Sequence, residues 1–246
     1  MRNVRGWLQG GVLGLVFMAW PVPGSEAILP NLEEEIETFQ EESEKSGRLS
    51  LKDKETLTRF RGSLQEQMPE PGLKVGDRAP DFVLAEAFGE STRLSDYLAR
   101  GPVVLSFYRG AWDPFSRLEL RALAESLPAF QEYGANVIAV SPQSPEISRQ
   151  QVRDEGLTFP VLSDLESEVM KAYDLYLTVP EDISTFYRDR LGVDLAAYNG
   201  QGREVFPVPG TFVIGRDGVI QAAFADADYT RRMEPVDILD ALARIG

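Results

Sequence analysis

Arg109, Asp113 and Ser116 fall within the eight residues Arg109-Gly110-Ala111-Trp112-Asp113-Pro114-Phe115-Ser116, which place a cation, a carboxylate and a hydroxyl close together. A carboxylate beside a hydroxyl invites acid–base or nucleophilic chemistry, with Thr211 as a second candidate hydroxyl. Carboxylate acid–base catalysis ordinarily needs a second tuned group, and none stands beside Asp113 in the sequence. The same residues also read as architecture. Asp at the N-cap, Pro114 at N1 and Ser116 at N3 make a favourable helix start, the cap alone contributing about 1 kcal/mol. The carboxylate opposes the positive end of the helix dipole. Arg109 then either holds an anion or pairs with Asp113.

The residue types that are missing restrict the chemistry further. The 246 residues include neither a cysteine nor a histidine. That excludes disulfides, a thiolate nucleophile, iron–sulfur clusters, a Ser-His-Asp triad and the usual zinc or haem ligation. No metal or cofactor is expected. With 25 Lys+Arg against 39 Asp+Glu the formal charge is −14. That balance makes phosphate backbones and anionic lipid unlike partners, so neither nucleic acid nor a membrane surface is expected. A 43% hydrophobic, 26% charged composition supports one main globular domain.

The elements that must position the Asp113 region follow from the hydrophobic pattern. From Pro71 onward, short apolar runs alternate with helices. Strands are predicted at Pro80–Leu84, Val103–Tyr108, Asn136–Ser141 and Phe159–Leu162, and helices at Pro114–Tyr133, Pro145–Glu155 and Glu166–Tyr173. An irregular stretch from Tyr176 to Phe206 follows, with Asn199-Gly200 as a tight turn. Its aromatics, Tyr176, Phe186, Tyr187 and Tyr198, either pin it to the core or rim a cleft. A hairpin from Thr211 to Phe224 turning at Asp217-Gly218 and a last helix from Pro235 to Ile245 complete an α/β sandwich with a mixed sheet.

Two segments precede this domain. Residues 1–27 run from Arg2 and Arg5 through an apolar stretch, Trp7 to Trp20, to Ser25-Glu26-Ala27. Basic, apolar and small in that order is the pattern of an export signal cleaved near Ala27, which places the folded part in an extracytoplasmic space. An uncleaved anchor is the alternative reading. Residues 28–70 form a charged arm of two predicted helices. The first is capped by Asn31 in a capping box with Glu34, with Leu29, Leu32, Ile36 and Phe39 on one face. The second spans Ser50–Met68, with Leu57, Phe60, Leu64 and Met68 at helical spacing. Neither stripe is wide enough to be stable alone, so each helix must pack on the other, on the domain or on a second copy. The glutamates of the arm are read as a solvated face.

Several ordered segments carry a family resemblance. Gly76-Asp77-Arg78-Ala79-Pro80-Asp81-Phe82, Phe107-Tyr108-Arg109-Gly110, Leu118-Glu119-Leu120-Arg121-Ala122-Leu123, Ala139-Val140-Ser141-Pro142-Gln143, Phe159-Pro160-Val161-Leu162-Ser163-Asp164, Pro209-Gly210-Thr211-Phe212-Val213-Ile214 and Glu234-Pro235-Val236-Asp237-Ile238-Leu239 are similar to the peroxiredoxin-like branch of the alkyl hydroperoxide reductase and thiol-specific antioxidant family. The resemblance covers residues 71–246 and implies a thioredoxin-like fold. Where that family has Trp-Cys-Pro-Tyr-Cys, this chain has Trp112-Asp113-Pro114-Phe115-Ser116, so both sulfur positions are occupied by other residues. Thiol peroxidase chemistry needs a low-pKa thiolate that becomes a sulfenic acid, and neither a carboxylate nor an unactivated hydroxyl follows that cycle. Asp113 could instead mimic the charge of an ionised or oxidised site.

The resemblance also implies a pocket made of Arg109, Trp112, Asp113, Ser116, Val208, Pro209 and Thr211. In the family the proline matching Pro209 is cis, which would bring the backbone of Val208 beside Asp113, where a peptide could pair with it. Pro209 shaping only the turn is the other reading. Glu119, Arg153 and Asp164 lie in matching segments with their directions undetermined. Two functions follow. One is a redox-inactive exported protein that binds a protein, peptide or small molecule. The other is an antioxidant oxidoreductase acting by thiol-independent chemistry or with a partner's thiols. A homodimer is a further expectation.

Overall fold

A computed structural model describes residues 29–245. The export-signal reading of residues 1–27 lies outside the described residues. Seven strands form one mixed sheet in the order β2-β1-β5-β4-β3-β8-β9. They are β1 (Val83–Glu86), β2 (Ser91–Arg93), β3 (Val103–Phe107), β4 (Asn136–Ser141), β5 (Val161–Ser163), β8 (Gly210–Ile214) and β9 (Ile220–Ala225). A separate antiparallel pair, β6 (Tyr176–Thr178) and β7 (Val205–Pro207), sits in the segment before β8. β3, β4 and β5 run parallel, in register at Val104↔Val137 and Val140↔Leu162, while β8 runs antiparallel to β3 with Ser106 opposite Thr211.

The central strand explains the core. All five residues of Val103–Phe107 are buried, because helices cover both faces of the sheet. Leu105 and Phe107 point into one apolar cluster with Met170, Tyr173 and Phe212, and Val104 points into another with Leu120, Phe130, Ile238 and Leu242. The second cluster is roofed by α4 (Pro114–Glu132) and α9 (Pro235–Ile245). The first is covered by α3 (Leu94–Leu98) and α6 (Glu168–Ala172). Between β4 and β5 runs α5 (Pro145–Glu155), closed by Gly156 in the left-handed conformation. β4, α5 and α9 match their predicted spans. The first predicted strand starts later, at Val83, because Ala79 and Phe82 pack into the core from irregular chain before the first ladder pair at Val83.

The stretch from Tyr176 to Phe206 is more ordered than its composition suggested. It contains α7 (Glu181–Phe186), a wider π-turn at Tyr187–Leu191 and α8 (Leu195–Asn199) between β6 and β7. Arg203 fastens it to the sheet's loops by donating to the carbonyls of Pro142 (2.7 Å) and Asp164 (3.4 Å), and closes the stretch on itself by donating to Asn199 O (2.6 Å).

The arm packs on the domain. Its first helix, α1 (Leu32–Ser46), buries Leu32 and Ile36 against Ala122 of α4. Asn31 caps it by accepting from Glu34 N (3.1 Å), but Glu34 does not close the expected box. A different carboxylate, Glu234, serves the next two amides, accepting from Leu32 N (2.9 Å) and Glu33 N (2.8 Å). A carboxylate brought from the far end of the chain satisfies the first helical amides and ties the arm down.

The second arm helix, α2 (Leu51–Gln67), begins with a complete capping box between Ser50 and Asp53. Asp53 also accepts both Arg190 Nη2 (2.7 Å) and Nε (3.0 Å). The Arg190 bonds, with those from Ser50, hold its carboxyl well below the ordinary 3.8. A lowered carboxyl stabilises the fold above its unfolded pKa, and the gain is lost as pH falls through the folded value. The stability difference between wild type and Asp53→Asn is therefore expected to be constant from pH 7 to about 5 and to shrink steadily below about 4, as read by denaturant midpoints at each pH.

Candidate functional site

Asp113 sits where β3 gives way to α4, at the helix N-cap. Its Oδ2 accepts from Ser116 N (3.2 Å) and Ser116 Oγ (2.6 Å), and Ser116 Oγ accepts from Arg109 N (3.2 Å). Every polar atom of Ser116 is thereby engaged, and the residue is wholly buried. The preceding turn has one shape only. Gly110 takes φ +141°, and a Cβ there would lie 2.7 Å from Trp112 Nε1. Gln143 fixes the same turn from β4's end by accepting from Ala111 N (2.9 Å), and its amide bonds Tyr108, Ser148 and Gln151 behind it.

Asp113 belongs to a buried group of four charges. Arg109 Nη1 lies 3.6 Å from Asp113 Oδ1, and Arg232 Nη2 lies 3.7 Å from Oδ2. Arg232 Nε donates to Glu119 Oε2 (2.7 Å), and the other Glu119 oxygen accepts from Ser106 Oγ (3.1 Å) and Thr211 Oγ1 (2.9 Å). All four side chains are 2–3% exposed. Two guanidinium groups and two carboxylates sum to zero, which is what allows the group to be buried at all. Asp113 is therefore a cap whose charge is neutralised internally, and its carboxylate is not displayed as a mimic of an oxidised site.

Arg109 is held in a box of aromatic rings. Its guanidinium carbon lies 4.4 Å from the Phe206 and Tyr229 centroids, 4.7 Å from Trp112 and 5.7 Å from Tyr187, and Tyr187 Oη accepts a hydrogen bond from Nη2. Burial works against the charge, but Tyr187, Asp113 and Tyr229 outweigh it and raise the Arg109 pKa further. Burial pushes Tyr187 up, and Tyr229 up to about 12, so both remain neutral phenols and face the cation with their rings.

The structure gathers five of the sequence-predicted residues: Arg109, Trp112, Asp113 and Ser116 directly, and Thr211 through Glu119. It does not turn Val208 toward them. Among the described residues no peptide bond is cis. Val208 instead buries its side chain in the cluster on the sheet's other face, and its N–H already donates to Leu175 O (2.8 Å), so no strand-like pairing beside Asp113 is available to a peptide there. Arg153 is exposed and leans over Phe88, and Asp164 turns its carboxylate to Met170 N (2.8 Å) at α6, away from the group.

Two residues were missed. Arg232 and Tyr229 come from the irregular link before α9, where no periodicity marks an inward side chain. The only hint is the basic pair Arg231-Arg232 in an acidic chain. Tyr187 and Phe206 show that the aromatic segment both pins itself to the core and forms the wall of the site.

The family model described as AhpC/TSA matches residues 75–223. The thiol-disulfide oxidoreductase ResA of Geobacillus kaustophilus is 29% identical over 169 residues, 67% of this chain and 79% of that protein. A putative peroxiredoxin of Mycobacterium tuberculosis is 38% identical over 104 residues, 42% of this chain and 66% of that protein. The solved structure of peroxidoxin BcpB from Mycobacterium tuberculosis superposes with a TM-score of 0.56 at 23% identity, covering 71% of this chain and 99% of that one, which establishes the fold. The order of motifs, the mixed sheet and the family match agree: this cysteine-free chain belongs to the AhpC/TSA family and has its peroxiredoxin-like, thioredoxin-like α/β fold.

Proposed function

We propose that this chain is an exported, redox-inactive member of its family that works by binding a protein, peptide or small molecule. The observation that carries this reading is the fate of Asp113. The position expected to bear a peroxidatic thiol holds a carboxylate that caps a helix, is neutralised by two arginines and is buried. A reaction at that position would require a polarisable nucleophile with access to its substrate, and neither is supplied. Ser116 does not substitute, because its hydroxyl donates to Asp113 and accepts from Arg109 N within the cap. Export is supported by the basic, apolar and small-residue order of residues 1–27.

The purified chain is expected to consume no hydrogen peroxide or alkyl hydroperoxide above buffer with dithiothreitol or a thioredoxin system as reductant. Turnover that scales with protein concentration would overturn the reading in favour of an antioxidant enzyme. Export has its own check: the full chain expressed in a bacterial host should appear in the extracytoplasmic fraction, and the chain lacking residues 1–27 should not.

A further inference from the structure

The two arm helices come to rest on the site by separate routes. On one side Phe39 of α1 meets Phe115 edge to face, with ring centroids 5.5 Å apart, and Phe115 in turn lies 5.9 Å from Tyr229, one of the rings on Arg109. On the other side Phe60 of α2 meets Phe206, another ring on Arg109, edge to face at 6.3 Å. Arg61 of α2 also reaches Asp228, next to Tyr229, at 3.4 Å. Two of the four rings that enclose Arg109 are thus backed from outside by the arm, one through each helix.

The fastenings are as separable as the contacts. α1 is held by a short apolar stripe, by Glu35 to Arg121 (2.6 Å) and by the two amides on Glu234. α2 is held by Phe60, Leu64 and the Asp53–Arg190 pair. Between them the chain passes through Gly47, at φ +63°, and Arg48 to Ser50. A helix with so narrow an apolar face stays docked only through such extra ties.

We propose that the arm is a strap closing the site from outside, with Glu234 as the latch of its first helix. Closed, it keeps solutes larger than water from the Arg109–Asp113–Ser116 group. Released at Glu234, α1 lifts from Phe115 and the wall at Tyr229 loses its backing. This inference concerns access and stands whether or not the chain has an activity.

Because the natural chain contains no cysteine, Ser116→Cys introduces a single, nearly isosteric thiol inside the site. Its labelling by an aromatic disulfide reagent reads entry directly. In the otherwise unchanged full chain, labelling is expected at least about 100-fold slower than in denaturant, as for a group exposed only by local opening. Adding Glu234→Ala is expected to accelerate it about tenfold or more, while circular dichroism reports an unchanged fold. Phe39→Ala should accelerate it in the same direction without touching α9. Arg117→Ala, which breaks an exposed pair to Glu155 unrelated to the arm, should not accelerate it. Fast labelling in the parent, or an unchanged rate in either folded arm variant, would overturn the strap. If Glu234→Ala fails to fold, the Phe39→Ala rate decides.

Discussion

Glu119→Ala is expected to destabilise the folded chain by about 3–5 kcal/mol, because it leaves a buried guanidinium without its partner. Arg232 would then keep Asp113 as its one carboxylate, at 3.7 Å and without a hydrogen bond, beside the Tyr229 and Arg231 carbonyls on Nη1, and the hydroxyls of Ser106 and Thr211 would lose their common acceptor. The second half of the experiment separates charge from packing. Adding Arg232→Met removes the orphaned cation while keeping most of its volume, and should recover a large part of the loss, since apolar replacement of a whole buried pair is often neutral. Urea denaturation of the two single variants and the double variant closes the cycle. A Glu119→Ala loss under about 1 kcal/mol would mean that water already serves these groups and that the four charges are not a structural unit.

Asp113→Asn discriminates between the two roles of the cap. Asparagine caps helices about as well as aspartate, so a purely local role predicts little change, whereas the loss of one member of a neutral group of four predicts a cost of about 3 kcal/mol. Asp113→Ala should cost about 1 kcal/mol more than Asp113→Asn, the contribution of the cap bond to Ser116 N. Thermal melts at matched pH give both numbers. If Asp113→Asn melts with the wild type, the ion pairs to Arg109 and Arg232 contribute nothing and the cap alone explains the residue.

The fold was readable in the sequence wherever a single local pattern decided it. Val103–Phe107 is buried at every position and apolar at all but Ser106 because both faces of β3 are covered, and Asp113-Pro114 marks the start of α4 by cap chemistry that needs no tertiary information. Reading became weaker where partners lie far apart in the chain. Glu234 caps α1 across about two hundred residues, and no spacing rule could have preferred it to the nearby Glu34. The site divided the same way. Arg109 and Asp113 stand four residues apart and their pairing was one of the two readings open for Arg109, while Arg232 and Tyr229 reach them from an irregular link without periodicity. Val208 shows the opposite case. Its segment matches a family motif that suggested a backbone open to pairing, but its N–H is already given to Leu175, a partner that no local pattern announces.

The turn from Arg109 to Asp113 also explains why a chain without cysteine still reads so strongly as a relative of thiol enzymes. Gly110 cannot carry a side chain while Trp112 lies against it, and Pro114 begins the helix that Asp113 caps. None of these requirements involves a reaction. They are conditions for turning the chain from strand to helix, and they would hold as firmly in a protein that never met a peroxide. A motif of this kind records the path of the backbone, and only the side chains at its two sulfur positions record the chemistry.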